Sequence, residues 1–214
     1  MILVDSPVAN VANIARALRA AGATLDVTRD AAAIARASKI VLPGVGSFAA
    51  AMTWLRETRI DAAVTEAVAS GAFLLGICVG HQLLFDFSEE MGTTRGLGLV
   101  HGAVRRYEGA LPVPQIGWNK LRLNVGRASA RPPRGRRAEA RPTSPLFEGI
   151  EDGEAFYFVN SYAARGVASE VATADYDGPF TAAVQQERVF GVQFHPEKSS
   201  AAGLRVLRNF VACN

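Results

Sequence analysis

The stretch Ala72-Phe73-Leu74-Leu75-Gly76-Ile77-Cys78-Val79-Gly80-His81-Gln82-Leu83-Leu84-Phe85 changes character at its centre. An apolar run leads into Gly-x-Cys-x-Gly, and an amphipathic run follows. A buried strand that hands over to a helix across such a turn is the cysteine form of a nucleophile elbow. The turn is tight enough that side chains flanking the nucleophile would collide, so both flanking positions call for glycine. The sulfur is then expected above the sheet edge, with the positive end of the following helix directed at it. A structural cysteine packed between two glycines is the competing reading, because free cysteine is among the most often buried residue types. On this segment alone the two readings stand level.

The deciding segment lies about 117 residues downstream. Val189-Phe190-Gly191-Val192-Gln193-Phe194 reads as a buried strand that runs into His195-Pro196-Glu197. Pro196 ends the ladder by removing a donor. His195 and Glu197 are two residues apart, so extended backbone would project both to one side. A cysteine nucleophile needs a base, and the base needs a third group to hold its tautomer. Cys78, His195 and Glu197 supply one of each. The chain has only three histidines, so one placed directly after an apolar strand beside Pro-Glu is a specific signal.

A third piece is Val41-Leu42-Pro43-Gly44-Val45-Gly46-Ser47-Phe48, read as a strand over Lys39 to Leu42, a Pro-Gly-x-Gly turn and a helix. Gly44 and Gly46 let backbone N–H groups approach a ligand closely. Beside an elbow, with the N–H of Val79, this is what an oxyanion hole requires.

Around these motifs the first half alternates strands and helices. Strands are predicted at Ile2 to Asp5, Leu25 to Val27, Lys39 to Leu42 and Ala72 to Ile77. Helices are predicted at Val8 to Ala21, Phe48 to Arg56, Asp61 to Ser70 and Val79 to Phe87. That rhythm implies a parallel sheet covered by helices on both faces. The second half is mostly strands, at Leu99 to Arg105, Trp118 to Leu123, Glu154 to Val159, Glu170 to Thr173, Thr181 to Gln186 and Val189 to Phe194. The last two are expected to pair as a hairpin about Glu187-Arg188, before a final helix over Ala201 to Ala212. The expected fold is a flavodoxin-like α/β/α sandwich, mostly parallel, with a mixed antiparallel extension. Pro43 to Gly46, Cys78 and His195 all follow strands, which places them on the carboxyl edge where such sheets carry their sites.

A length of 214 residues, 49% hydrophobic and 20% charged, fits one domain with a substantial core and argues against disorder. No apolar run reaches the length of a membrane span, and with Ile2-Leu3-Val4 opening as a strand no signal or transit segment is expected. Two cysteines, Cys78 and Cys213, make neither a disulfide framework nor a metal cluster, and a working thiol suits the cytoplasm. The isoelectric point near 9.1 suggests nucleic acid. The charge is local, however: Arg127, Arg131, Arg134, Arg136, Arg137 and Arg141 face only Glu139, a net of +5 in a chain of net +3, so the remainder carries −2. The Arg/Pro-rich stretch at about 125–142 is expected to be a solvated insertion loop, and no nucleic-acid or membrane partner is expected.

Leu75-Gly76-Ile77-Cys78-Val79-Gly80-His81-Gln82 with Phe194-His195-Pro196-Glu197 resembles the class I (triad) glutamine amidotransferases. Ile116-Gly117-Trp118-Asn119 and Gly191-Val192-Gln193-Phe194-His195-Pro196-Glu197-Lys198-Ser199-Ser200 are similar to the glutaminase subunits of imidazole glycerol phosphate synthases. The resemblance implies glutamine hydrolysis through a Cys78 thioester without metal or organic cofactor. It also implies that Gln82, Asn160, Ser161 and Tyr162 grip the glutamine head group. Ammonia would pass to a (β/α)8-barrel cyclase subunit, with Asn10, Trp118, Asn119, Lys120, Tyr157 and Lys198 at the interface and ammonia passage. Three departures accompany it: Ser6-Pro7-Val8-Ala9-Asn10 lacks the usual glycines, Gln115 and Asn160 replace histidines, and His81 replaces methionine. Two other readings remain. One is a glutaminase subunit serving anthranilate, aminodeoxychorismate or pyridoxal phosphate synthesis; the other is a catalytically silent scaffold or regulator.

Overall fold

The computed structural model describes residues 1–7, 9–126, 141–142 and 144–214. Its first half runs β1 (Ile2–Val4), α1 (Val11–Ala20), β2 (Asp26–Thr28), α2 (Ala31–Ala35), β3 (Lys39–Gly44), α3 (Phe48–Glu57), α4 (Ile60–Ala69), β4 (Phe73–Cys78) and α5 (Val79–Gln82). Five strands are parallel, in the order β2, β1, β3, β4 and Val189–Val192. This is the flavodoxin-like arrangement. Antiparallel strands Pro179–Gln186, Glu170–Asp175 and Arg122–Leu123 extend the sheet to eight. The parallel strands are apolar almost throughout because helices cover both faces: Leu3, Val4, Ile40, Val41, Leu42, Leu74, Leu75 and Val192 are all buried. On the helical side α1 packs on α6 (Ser200–Ala212), whereas α2 and α3 both pack on α4.

The sheet places three chain segments side by side. β3 and Val189–Val192 flank β4 in parallel register, Gly44 opposite Cys78 and Val192 opposite Ile77. The chain after each of the three strands therefore leaves from one sheet edge. Above that edge, Gln115–Lys120 pairs antiparallel with Ala155–Asn160. A separate four-stranded sheet, in the order Tyr162–Ala164, Val100–Arg106, Phe85–Ser88 and Thr94–Arg95, closes the side.

The structure differs from the periodicity reading in several places. The helix expected over Val79 to Phe87 is only four residues long. Leu83 and Leu84 turn, and their carbonyls accept from the N–H groups of Leu97, and of Leu99 and Val100, so no helix continues. Leu83-Leu84-Phe85-Asp86-Phe87 suited either pattern, and Phe85–Ser88 becomes a strand. β3 continues through Pro43 and Gly44 instead of stopping at Leu42; β1 pairs only with Ile40 and Val41, so the ladder on that side ends before the proline. The strand expected over Trp118 to Leu123 is two strands in different sheets, broken at Leu121. The strand expected to end at Phe194 stops at Val192. The hairpin about Glu187-Arg188 forms, with Gln186 opposite Val189. The first helix, expected from Val8, begins at Val11 because Asn10 caps it; Val8 itself and the arginine-rich stretch between Val125–Gly126 and Arg141–Pro142 lie outside the described residues, although those two short strands pair antiparallel.

Phe194 is fully buried, its ring 4.3 Å from Phe156, 5.8 Å from Phe158 and 6.5 Å from Phe147. This aromatic knot fixes the backbone just before His195. Phe194→Ala should cost about 3–5 kcal/mol of stability, read from equilibrium urea unfolding; an unchanged midpoint would mean the knot does not hold this segment.

Candidate active site

Cys78 has φ 57° and ψ −112°, a backbone conformation that a residue with a Cβ avoids. The chain is forced there by crowding. A Cβ on Gly76 would sit 2.5 Å from the Gly80 carbonyl oxygen, and one on Gly80 would sit 1.9 Å from the Leu42 carbonyl oxygen. Any side chain at either position would push β3, β4 and α5 apart. The Cys78 side chain emerges at the end of β4, only 4% exposed. Its Sγ lies 3.9 Å from the Val159 carbonyl, to which the thiol donates, and 4.0 Å from Gln193 Nε2. α5 is too short to carry a substantial macrodipole, so what the sulfur meets is local donors.

His195 reaches the same sulfur from the neighbouring strand end. Its N–H donates to the Tyr157 carbonyl at 2.9 Å. Ser199 Oγ donates to the His195 carbonyl at 2.7 Å and accepts from the Tyr157 N–H at 3.0 Å. Nδ1 of His195 lies 2.9 Å from Glu197 Oε1, with both side chains buried. That pairing does not come from extended backbone as expected: after His195 the chain enters a 3-10 turn over Pro196–Lys198, and the turn brings the carboxylate back to the ring. Burial alone would lower the His195 pKa, but hydrogen bonds to Cys78 and Glu197 and their negative charge outweigh it and raise it to about 10. Glu197 occupies Nδ1, so Nε2 is the nitrogen that faces the sulfur.

Cys78 and His195 open onto a cavity of about 240 Å³. Val79, Gln82, Asn160, Ser161 and Tyr162 line it, and so do Val45 and Gly46 from the turn after β3. Gly44 is elsewhere. It lies inside β3 opposite Cys78, where a Cβ would meet the Gly80 nitrogen at 2.9 Å, so its contribution is close packing behind the wall. Val159, Pro114 and Glu90 also line the cavity and were not singled out from sequence. Glu90 Oε2 accepts from the Phe48 N–H at 2.6 Å at the start of α3, a contact no local pattern announces.

Side-chain amides organise the cavity floor. Gln82 Nε2 donates to the Tyr162 carbonyl and to Gln193 Oε1, each at 2.9 Å. Asn160 Nδ2 donates to the same carbonyl at 3.0 Å and to the Tyr107 hydroxyl at 2.7 Å, leaving its Oδ1 buried without a partner. Tyr107 in turn donates to Gln115 Oε1 at 3.3 Å. Gln115 and Asn160 face each other across their ladder, so the two positions that depart from histidine belong to one neutral network. Gln193 received no role in the sequence reading, although its place two residues before His195 was a usable signal.

The expected interface residues divide. Trp118 and Lys120 alternate outward along one strand together with Ile116, which was not among them, Trp118 56% exposed with its ring centroid 6.0 Å from that of Tyr157. Lys198 Nζ stands 5.6 Å over the Tyr157 ring. Asn119 faces the opposite way and donates to the Asp175 carbonyl at 2.8 Å. Asn10 caps α1 by accepting from the Asn13 N–H at 3.3 Å.

An α/β sheet with a strained cysteine at one strand end and a histidine–glutamate pair at the next is the arrangement of a thiol-nucleophile site. The family model described as glutamine amidotransferase class-I matches residues 2–213, and the chain belongs to that family. It is 41% identical over 217 residues to imidazole glycerol phosphate synthase subunit HisH of Geobacillus thermodenitrificans (strain NG80-2), covering 98% of this chain and 93% of that one. It is 40% identical over 216 residues to the subunit of the same name from Acinetobacter baylyi (strain ATCC 33305 / BD413 / ADP1), covering 99% and 97%. A crystal structure of a glutamine amidotransferase superposes with a TM-score of 0.71 at 18% identity, over 99% of each chain, which speaks to the fold.

Behind Cys78, His81 is fully buried with both ring nitrogens unpartnered, its ring centroid 5.2 Å from that of Phe85 in a T-shaped arrangement. Burial holds it neutral, its pKa lowered to about 3. A group depressed in this way contributes stability above its unfolded value near 6.5, lost as pH falls towards 3. His195 has the opposite sign: its contribution is complete below 6.5 and is lost as pH rises through about 10. His81→Met removes only the acid slope. Between pH 7 and pH 5 the wild type should lose about 2 kcal/mol that the variant keeps, measured by urea unfolding at the two pH values.

Proposed function

We propose that this chain hydrolyses glutamine to glutamate and ammonia as the glutaminase subunit of an imidazole glycerol phosphate synthase in histidine biosynthesis. The observation that carries the reading is the Cys78–His195–Glu197 arrangement at the mouth of an amino-acid-sized cavity, in a chain about 40% identical over nearly its full length to subunits of that name. All of residues 1–214 are read as one amidotransferase domain.

Glutamine enters with its side-chain amide at Cys78. Sγ, its proton held by His195 Nε2, attacks the amide carbon, and the carbonyl oxygen becomes an oxyanion beside the backbone N–H groups of Val79 and the Val45-Gly46 turn. His195 then gives its proton to the amide nitrogen; the C–N bond breaks and ammonia leaves. A water enters, His195 takes one of its protons, and hydroxide attacks the thioester. Glutamate departs and the sulfur is restored. Glu197 holds Nδ1 through both halves and stabilises the imidazolium. Gln82 uses its nitrogen within the protein, which leaves Oε1 for the substrate ammonium. The backbone of Ser161 and Tyr162 lies across the same cavity and receives the carboxylate.

Ammonia released into water would be protonated and lost as a nucleophile, so a partner must receive it. A cyclase subunit docks on the outward ridge of Ile116 and Trp118, where Tyr157 and Lys198 join the surface to the His195 turn. Aromatic residues ringed by polar ones are the usual anchors of such an interface. Both cysteines are free and, among the described residues, no helix is long and apolar enough to cross a membrane; a cytoplasmic setting fits the thiol chemistry.

Cys78→Ala should reduce ammonia release at least about 1000-fold while leaving the circular dichroism spectrum and unfolding midpoint near wild type. Residual turnover close to wild type would remove the thioester. Mixed with the cyclase subunit, the wild-type chain should turn over faster once cyclase ligand is added, and Trp118→Asp should weaken association by about tenfold or more. Equal turnover with and without the cyclase and its ligand would remove the activation, and unchanged association of the variant would move the docking surface elsewhere.

A further inference from the structure

We propose that Gln193 is a positioning residue for the nucleophile: with Gln82 it forms a directed amide relay, starting from the Tyr162 carbonyl, that turns an N–H towards Cys78 Sγ. The inference deepens the glutaminase reading and rests on it.

The direction of the relay follows from one atom that cannot change role. A backbone carbonyl only accepts, so the edge of the Gln82 amide facing Tyr162 at 2.9 Å must be its nitrogen. The same nitrogen faces the Gln193 amide at 2.9 Å, and only an oxygen satisfies it there. Gln193 therefore has its nitrogen left over, and that nitrogen is the atom 4.0 Å from Sγ. The Gln193 side chain is completely buried and does not line the cavity, so water is not at hand to reverse its amide. The starting carbonyl is itself held by a second donor, Asn160 Nδ2 at 3.0 Å. Gln193's own N–H donates to the Ala182 carbonyl at 2.8 Å, which fixes the backbone from which the amide projects.

The sulfur thus sits between groups of opposite polarity. As a thiol it donates to the Val159 carbonyl; as an anion it is repelled by that oxygen and drawn to the Gln193 N–H and to His195. A contact of 4.0 Å is long for a neutral thiol and closes as charge develops on sulfur. With α5 only four residues long, the relay supplies a donor that a longer helix would otherwise supply by its N-terminus. It also accounts for a wholly buried glutamine, whose amide would be costly there without partners.

The test is alkylation of the full chain with iodoacetamide across pH, resolved by peptide mass spectrometry, with Cys213 in the same molecule as the reference thiol. Gln193→Met keeps the volume and removes the donor. Its Cys78 midpoint should rise by about one pH unit, while Cys213 is unmoved. In turnover with the cyclase subunit, kcat should fall and KM for glutamine should change little. Should Gln193→Met fail to fold, Gln193→Asn draws the amide back by one methylene and is expected to raise the midpoint likewise. Gln193→Glu should raise it further, because an acceptor then faces the sulfur. An alkylation midpoint equal to wild type in the neutral variants, or a rise confined to Gln193→Glu, overturns the relay. Labelling of wild-type Cys78 by a glutamine-derived diazoketone is run alongside. Its absence would overturn the glutaminase reading, whereas labelling with unshifted variants overturns the relay alone.

Discussion

Everything in the site depends on the backbone at Cys78 being held in a left-handed conformation by lack of room. Three backbone segments meet there, and the Leu42 carbonyl, the Gly80 backbone and the end of β4 touch where a single methyl group would separate them. Holding a non-glycine residue at φ 57° costs on the order of 1–3 kcal/mol. The cost is borne because β4 is locked on both sides by parallel partners whose side chains are buried on both faces. The position of the sulfur is therefore a property of the central sheet, and loop motion cannot easily move it.

The histidine side of the site is held by a different device. His195 lies beyond the last residue of its strand, in a segment with no ladder of its own. Phe194 packs into the aromatic knot below it, and the Tyr157 backbone and Ser199 hydroxyl grip the residue from both sides. The Tyr157 grip belongs to the ladder of Gln115–Lys120 with Ala155–Asn160, which presents Trp118 and Tyr157 outward and leads inward to Val159, Asn160 and the cavity. One pair of strands thus has the exposed aromatic ridge on one side and the imidazole and amide network on the other. A partner bound to the ridge would press on the same two strands that position His195.

Parts of this were readable from residues alone, for identifiable reasons. The parallel strands declared themselves because burial on both faces leaves continuous apolar runs such as Ile40-Val41-Leu42 and Phe73-Leu74-Leu75. The elbow was readable because steric crowding demands glycine at two fixed spacings, and the histidine because it follows a buried strand directly. The reading failed where local patterns were degenerate. Leu83 to Phe87 satisfied helix and strand alike, and the decision came from carbonyls captured by residues 97–100. Pro43 looked like the end of a strand until the reach of β1 was known. Gly44 looked like a wall of the cavity and instead fills the space behind it.

By itself the sequence determined the chemistry available: one thiol between glycines, one imidazole, one carboxylate two residues on, and strands in an order that sends all three to the same edge. These follow from covalent spacing and from side-chain volume, which are local properties. Tertiary structure alone decided which nitrogen of His195 faces the sulfur, through a turn that brings Glu197 back onto Nδ1. It alone oriented Gln82 and Gln193, because the direction of an amide depends on which partner across the fold can only accept. Hydrogen-bond polarity is set by contacts between residues far apart in the chain, and no pattern along the chain encodes it.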